Sequence, residues 1–275
     1  IDEVGADQVW KDIVDRHSLV IGWYEDRNLF HKIGFLSASG VRFADLVGLA
    51  HEKTKSAFVA GLNDLIRARL KLSEEGLNSL EYGTTTSNAR AELVLLLMNV
   101  ESVRRTTGSS ERFSFAEYAR GAWSLEHIHA QSSGRMTAEQ QRAWLSLHRQ
   151  ALRSLPDLDD ATRADLVSRI DAARAEISQE IFEPLKREIL EYFSESVEDE
   201  AAAMHSLRNL ALLHRDDNSV LNDGAFEVKR IAIIELDQMG SYIPVCTRNV
   251  FLKYYTQVEG QQLHFWGEAD REAYF

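Results

Sequence analysis

Cysteine is almost absent from this sequence of 275 residues, in which Cys246 is the only one. A single cysteine cannot form an internal disulfide, which excludes a disulfide-stapled secreted scaffold and fits a reducing compartment. No motif around Cys246 supports a nucleophile, so we expect a buried structural thiol. The cysteine content therefore predicts a cytoplasmic protein.

Proline and long apolar runs are also scarce. The three prolines are few for a chain of this length, and long helices tolerate such poverty best because proline breaks them. The longest strongly apolar run covers residues 93–100, less than half of the roughly 20 residues that a membrane-spanning helix needs. The first ten residues contain no basic stretch followed by an apolar one, and residue 1 is not methionine. We expect no membrane partner and a chain cut from a longer parent.

Positive charge is in deficit, with 31 Lys and Arg against 43 Asp and Glu and a net charge of −12. This balance argues against a protein that holds nucleic acid through its whole surface. The excess is local, because residues 156–200 contain 14 acids and 5 bases while the rest is close to neutral. Basic residues and a histidine flank the motifs described below, namely Arg104, Arg105, Arg112, Arg120, Arg208, His214, Arg215, Lys229 and Arg230. These residues are compatible with a local basic surface near the motifs.

The first part of the chain predicts a helical bundle. Apolar residues recur at spacings of three and four over residues 41–51, 56–72 and 88–103, with Gly and Ser clusters between them. The polar segment 106–111 predicts a linker or turn. We therefore expect a helical connecting domain over residues 1–110 and a second domain over residues 111–275.

The middle of the second domain predicts two helices. Thr137, with Gln140 three residues later, has the pattern of a capping box at a helix start. An apolar stripe at alternating steps of three and four then runs through residues 162–195, with a kink expected at Pro184. Such a stripe is typical of a core or partner contact. Together these helices form an expected insertion at about residues 137–200.

Two short segments break the helical pattern. Residues 122–130 and 207–214 are apolar with polar interruptions and predict strands. The Asp- and Asn-rich segment 215–224 predicts a turn, and residues 226–237 return to helical spacing. We thus predict a mainly α fold in which a strand, a helical insertion, a strand, a turn and a helix follow one another.

Four polar residues occupy key places on this framework. Glu126 and His127 are adjacent near the end of the first strand, and Asn209 lies at the second. Asn218 follows nine residues later, at the entrance to the last helix. A carboxylate and an amide oxygen suit a hard cation such as Mg²⁺, and a neutral imidazole suits a general base. Hydrolysis of a phosphodiester needs both a cation and a base, so these residue types match that chemistry.

The sequence around these residues resembles a known family. The motifs are E-H-I-x-x-Q at residues 126–131, N-L-x-L-L-x4-N-S at 209–219 and F-x-x-K-R at 226–230. They resemble the HNH nuclease domain of GmrSD-like (SspE-like) bacterial restriction and phage-defence proteins. The resemblance implies a small ββα-metal (HNH) core within the mainly α chain, with the helices before residue 108 as the family's connecting region.

The resemblance also implies roles for individual residues. By motif position, Glu126 and Asn218 are the metal ligands, with Mg²⁺ or Mn²⁺ as the expected cation. His127 is the general base, and Asn209 ties the loop between the two strands. Lys229 is implied to help hold the phosphate.

Two further residues are weaker candidates. His129 shares a strand face with His127 by alternation, and it contacts the metal, the DNA or nothing. Asn222 lies one turn past Asn218 and is a possible further metal ligand. Neither is needed for the motif match.

The function implied by the resemblance is a divalent-metal-dependent DNA endonuclease or nickase. It would be the effector part of a bacterial anti-phage restriction system that acts on modified or foreign DNA. The family's N-terminal nucleotide-binding module carries a D-G-Q-Q-R motif that this sequence lacks, so we expect that recognition module in the parent chain. Cutting both strands from a single site would require a homo-oligomer or sequential nicking.

Three other interpretations remain open at this point. The chain could be a catalytically silent interaction module with an HNH-like fold, whose acidic helix over residues 162–195 binds a partner. It could be an RNase or toxin that uses the same site. His205 and His214 could also join His127 and His129 in a zinc site, although no cysteine pairs support one.

Overall fold

The computed structural model describes residues 5–129, 136–193, 204–221, 224–256 and 261–275. The protein is mainly helical, with a small two-stranded antiparallel sheet, which confirms the mainly α prediction. Within these residues, no helix has the length and apolar character needed to cross a membrane. The chain divides into two compact units, formed by residues 1–77 with 93–120 and by residues 78–92 with 121–275.

The first unit is helical, and the unit boundaries fall inside its fifth and sixth helices. Its elements are α1 (Ala6–Glu25), α2 (Arg27–Ala38), α3 (Phe43–Ala50), α4 (Lys55–Leu70), α5 (Glu74–Asn78), α6 (Thr85–Arg105) and α7 (Phe115–Arg120). The helices predicted over 41–51, 56–72 and 88–103 are confirmed as α3, α4 and α6. Asp26 starts α2 directly after α1, because its carboxylate accepts the backbone N–H groups of Asn28 and Leu29.

The insertion of the second unit contains α8 (Ala138–Ala151), α9 (Asp160–Ala175) and α10 (Gln179–Glu191). The Thr137 capping box is confirmed at the start of α8. The single helix predicted over 162–195 is wrong, because α9 ends at Ala175 and Ser178 caps a new helix by accepting the Ile181 N–H. Pro184 lies inside α10 rather than at the break.

Periodicity concealed this break because the apolar stripe continues on both sides of it. The insertion packs around one core that also includes Val228 of a later helix. Its buried members on the insertion include Trp144, Leu145, Leu166, Ile170, Ala173, Phe182, Leu185, Ile189 and Phe193. The stripe is therefore core, and Ile181 is its exposed exception, beside the new helix start.

The sheet pairs β1 (Trp123–His127) with β2 (Leu210–His214). Glu126 lies opposite Ala211, and His127 lies opposite Leu210. Both predicted strands are confirmed in part, the first over residues 123–127 and the second over residues 210–214, whereas residues 207–209 form a 3-10 turn instead of strand.

The segment after β2 differs from the prediction. Residues Arg215–Leu221 form a short helix, α11, so the turn predicted over 215–224 is wrong across these residues. Asp216 and Asp217 lie in its first turn, where acidic side chains favour a helix through its dipole, and this composition also resembles a turn. The predicted next helix is confirmed as α12 (Phe226–Gln238). The unit ends with α13 (Val245–Phe251), which contains the buried Cys246, and α14 (Glu268–Tyr274).

Candidate active site

The two central residues of the site lie next to each other on β1 but on opposite faces. Successive side chains of a strand alternate between faces, so Glu126 shares a face with Ser124 and His127 shares the other with Leu125. Both side chains are buried. The strand therefore directs the carboxylate and the imidazole into two different environments.

On one face, Glu126 forms a buried ion pair with Lys229. The Lys229 ammonium, from α12, donates to the Glu126 carboxylate and to the backbone oxygen of His127, at 2.5 Å in the second case. Lys229 is only 1% exposed. Burial makes such a pair costly to break from one side, at about 3–5 kcal/mol. In this arrangement Lys229 neutralises Glu126, so its implied contact with a phosphate stays a prediction.

On the other face, His127 lies against two rings. The Tyr82 ring meets the imidazole edge-to-face with centroids 4.7 Å apart, and the His205 ring does so at 6.0 Å. Burial lowers the pKa of His127 to about 4, and the charges of Lys229 and His205 add to this effect. The imidazole is therefore neutral at pH 7. Its Nε2 atom is buried and has no hydrogen-bond partner among the described residues.

Tyr82 reaches this site from outside the recognised motifs. It belongs to the segment 78–92 of the second unit, just before α6. The Tyr82 N–H donates to the His205 carbonyl at 2.7 Å, and Glu81 forms a β-bridge with Ser206. Sequence reasoning missed Tyr82, because a single tyrosine in a polar stretch about 45 residues before the motif gives no local signal.

Asn209 joins the two strands at the end that carries His127. Its side-chain oxygen accepts the His129 N–H at 2.9 Å, and its amide nitrogen donates to the Met204 carbonyl at 3.0 Å. Its backbone oxygen accepts the Ile128 N–H at 2.9 Å. These bonds hold the chain immediately after β1, which is the location that the resemblance implies for a loop-tying asparagine.

Asn218 lies in the middle of α11 rather than at the entrance to the next helix. Its amide nitrogen donates to Ser124 Oγ at 2.9 Å and to the Leu125 carbonyl at 3.3 Å. Ser124 is on the Glu126 face of β1, so Asn218 is anchored two residues along the same face. With the nitrogen bound to the strand, the amide oxygen is the atom left to accept from or coordinate another group.

The weaker candidates have different outcomes. His129 is buried just beyond the end of β1, and its backbone N–H binds Asn209. Asn222 lies outside the described residues. Backbone N–H groups face both ring nitrogens of His214, that of Ala122 at 3.2 Å from Nε2 and that of Asp216 at 3.4 Å from Nδ1, and a neutral imidazole accepts one of them. This use of its nitrogens argues against His214 as a zinc ligand.

The donor chemistry fits the divalent cation implied by the motifs. A carboxylate and an amide oxygen are hard ligands, and Mg²⁺ usually combines one or two such protein ligands with water and substrate phosphates. Across the part of the chain that the structure describes, no group of three or more His, Cys, Asp or Glu side chains could hold a metal ion. Of the residues that the structure describes, Glu126 and Asn218 would hold such a cation, and the cation would compete with the Lys229 ammonium.

The chain was also compared with known proteins. It matches no family model, no curated protein and no solved structure. The HNH resemblance thus depends on the three sequence motifs alone.

Proposed function

We propose that this protein is a divalent-metal-dependent DNA endonuclease or nickase of the HNH type. The observation that carries the proposal is the buried, neutral imidazole of His127, whose Nε2 atom has no hydrogen-bond partner among the described residues. A buried polar atom is normally satisfied, and an exception calls for an explanation such as catalysis. The order of strand, strand and helix around it, with Asn209 binding the chain after β1, supports the same reading.

His127 would act as the general base. Its Nε2 would take a proton from a water molecule, whose oxygen then attacks phosphorus while the bond to the leaving oxygen breaks. A pKa of about 4 keeps the imidazole neutral but makes it a weak base. A negatively charged phosphate beside the ring would raise this pKa toward the range in which a base is efficient.

Glu126 and Asn218 would hold the divalent cation. When bound, Mg²⁺ or Mn²⁺ would neutralise negative charge that develops on the phosphate oxygens. Lys229 would hold Glu126 in place within the fold, since its ammonium binds both this carboxylate and the His127 carbonyl. The same pair fixes the backbone at the junction of the two residues.

The biological setting follows from the resemblance alone. We propose the effector part of an anti-phage restriction system that acts on modified or foreign DNA, working with a nucleotide-binding recognition module of the parent chain. The motifs quoted above support this setting.

A plasmid-nicking assay tests the activity. Supercoiled DNA is incubated with Mg²⁺ or Mn²⁺ and the wild-type chain, with His127→Ala, and with EDTA. His51→Ala is the matched control, because this histidine is 76% exposed and lies in the other unit. Nicked or linear DNA from wild type and His51→Ala alone supports the proposal, and no cleavage in any arm contradicts it. An RNA arm at the same salt separates a DNase from an RNase or toxin.

One observation favours a silent interaction module as a second candidate. Lys229 already neutralises Glu126, which lowers the attraction of this carboxylate for a cation. Mn²⁺ titration followed by calorimetry distinguishes the two candidates. Binding that is lost in Asn218→Ala supports the nuclease, whereas no binding to the wild-type chain favours the silent module.

A further inference from the structure

The orientation of His127 has an unusual basis. A general base is commonly held in place by a hydrogen bond from its second ring nitrogen to a carboxylate or a carbonyl. For His127, Nε2 is the proposed base atom, and the contacts that the described residues make with its ring are the aromatic rings of Tyr82 and His205 rather than a carboxylate or a carbonyl. The plane of this imidazole must therefore be fixed by packing.

Tyr82 provides the closest ring contact to His127. Its ring centroid lies 4.7 Å from that of the imidazole at an interplanar angle of 76°, an edge-to-face arrangement that aromatic pairs prefer. His205 contacts the same imidazole at 6.0 Å and lies nearly parallel to Tyr82, with an interplanar angle of 15°. The two rings restrict rotation of the imidazole about its terminal side-chain bond, which is otherwise a broad torsion.

The backbone holds Tyr82 against the sheet end. Tyr82 N–H donates to the His205 carbonyl at 2.7 Å, and Leu207 N–H donates to the Leu80 carbonyl at 3.2 Å. The bridge between Glu81 and Ser206 lies between these two bonds. Tyr82 is thus fixed to the chain that leads directly into Asn209 and β2.

We propose that Tyr82 is a positioning residue of the nuclease site, which orients the His127 imidazole toward the attacking water through its ring. This inference rests on the proposed function. It assigns the segment 78–92 a part in catalysis, although none of the family motifs lies there. The aromatic ring is the required feature, and the hydroxyl is dispensable.

Substitution of Tyr82 tests the inference. Tyr82→Phe keeps the ring, while Tyr82→Leu and Tyr82→Met keep an apolar side chain without it. We expect kcat to fall on the order of 10- to 100-fold in the Leu and Met variants, since small misplacements of a catalytic group have effects of this size. KM should change little, and Tyr82→Phe should retain wild-type kcat. Tyr254→Leu is the matched control, because this tyrosine is 75% exposed.

A second readout does not depend on activity. The ring-proton signals of His127, assigned by comparison with His127→Ala, should carry a ring-current shift from Tyr82 in the NMR spectrum. The shift should persist in Tyr82→Phe and disappear in Tyr82→Leu and Tyr82→Met. Circular dichroism identifies the variants that fold. Two non-aromatic substitutions are made so that the test can still be read if one of them does not fold.

The outcomes are distinct. An unchanged kcat in folded Tyr82→Leu, or an equal loss in Tyr82→Phe, overturns the positioning role while the nuclease stands. An effect confined to KM overturns it as well. An inactive wild-type chain overturns the proposed function together with the catalytic role of Tyr82, and the wild-type arm alone reveals this.

Discussion

Two regions of the protein bury a histidine in opposite ways. In the helical insertion, His148 is fully buried, its Nδ1 donates to the Trp144 carbonyl at 2.8 Å, and its Nε2 accepts the Ala225 N–H at 3.1 Å. At the end of the sheet, His127 is buried without a hydrogen bond to Nε2 among the described residues. Both have a lowered pKa, to about 3 and about 4, so the pKa alone does not separate them. The hydrogen bonds do.

The first unit contains another buried histidine that is hydrogen-bonded at both ring nitrogens. His31 is buried, its Nδ1 donates to the Arg27 carbonyl four residues earlier at 2.6 Å, and its Nε2 accepts the Phe113 N–H at 3.1 Å. His148 has the same pattern, with a carbonyl four residues earlier and a distant amide. Such histidines join a helix to a remote backbone segment. A histidine that lacks these bonds is the one to examine for chemistry.

Substitution of His127 should have the largest effect on activity. We expect His127→Ala to reduce DNA cleavage by about 10²- to 10⁴-fold, the usual contribution of a general base. The free energy of unfolding should change by less than about 1.5 kcal/mol, since no hydrogen bond to Nε2 is lost. Cleavage kinetics and urea denaturation measure the two quantities. A large loss of stability with little loss of activity would place His127 in the structural class.

Removal of the Lys229 ammonium should have the largest effect on stability. Lys229→Met removes the buried ammonium that pairs with Glu126 and should cost about 3–5 kcal/mol in the free energy of unfolding. The double variant Lys229→Met/Glu126→Leu should recover much of this loss. The exposed lysine of the Lys55–Asp26 pair is the control, where Lys55→Met should cost about 0–1 kcal/mol. If urea denaturation showed the same loss in the free energy of unfolding for Lys229→Met and Lys55→Met, the buried pair would not be a structural one.

Substitution of His148 should affect stability alone. His148→Ala removes a ring stacked on Trp144 at 3.5 Å and leaves the Ala225 N–H without its acceptor. We expect a loss of about 2–4 kcal/mol in the free energy of unfolding. Per folded molecule, DNA cleavage should stay at the wild-type rate. Loss of activity in folded His148→Ala would contradict the assignment of a structural role to His148 and a catalytic role to His127.

The sequence predicted the elements that depend on local patterns. The capping box at Thr137, the strands through Glu126 and Leu212, and the helix that carries Lys229 all follow from spacing and composition. It failed where two elements share a pattern. The stripe through residues 162–195 does not record the cap at Ser178, and the acidic start of α11 has the composition of a turn.

The candidate site was predictable only in its residue types. The motifs place Glu126, His127, Asn209 and Asn218 in chain order, but they do not reveal that Glu126 pairs with Lys229. They also contain no trace of Tyr82, because its contact with His127 arises from pairing between segments that are far apart in sequence. Tertiary pairing of this kind leaves no period in the sequence.

The pH dependence of stability gives the smallest effect and the sharpest form of the comparison. His148 is neutral in the folded protein down to a pKa of about 3, whereas the unfolded chain binds a proton below about pH 6.5. The unfolded state is therefore favoured as the pH falls below 6.5, and stability above that pH is unaffected by this group. Each such histidine contributes a slope of roughly 1.4 kcal/mol per pH unit.

His148→Gln should reduce the slope of the free energy of unfolding between pH 6 and pH 4.5 by this amount, and the exposed control His51→Gln should leave it unchanged. His127→Gln should reduce it as well, because burial also keeps that imidazole neutral. A slope that His127→Gln leaves intact would mean that His127 binds a proton between pH 6 and pH 4.5 in the folded state as it does in the unfolded chain, which would contradict the lowering of its pKa by burial.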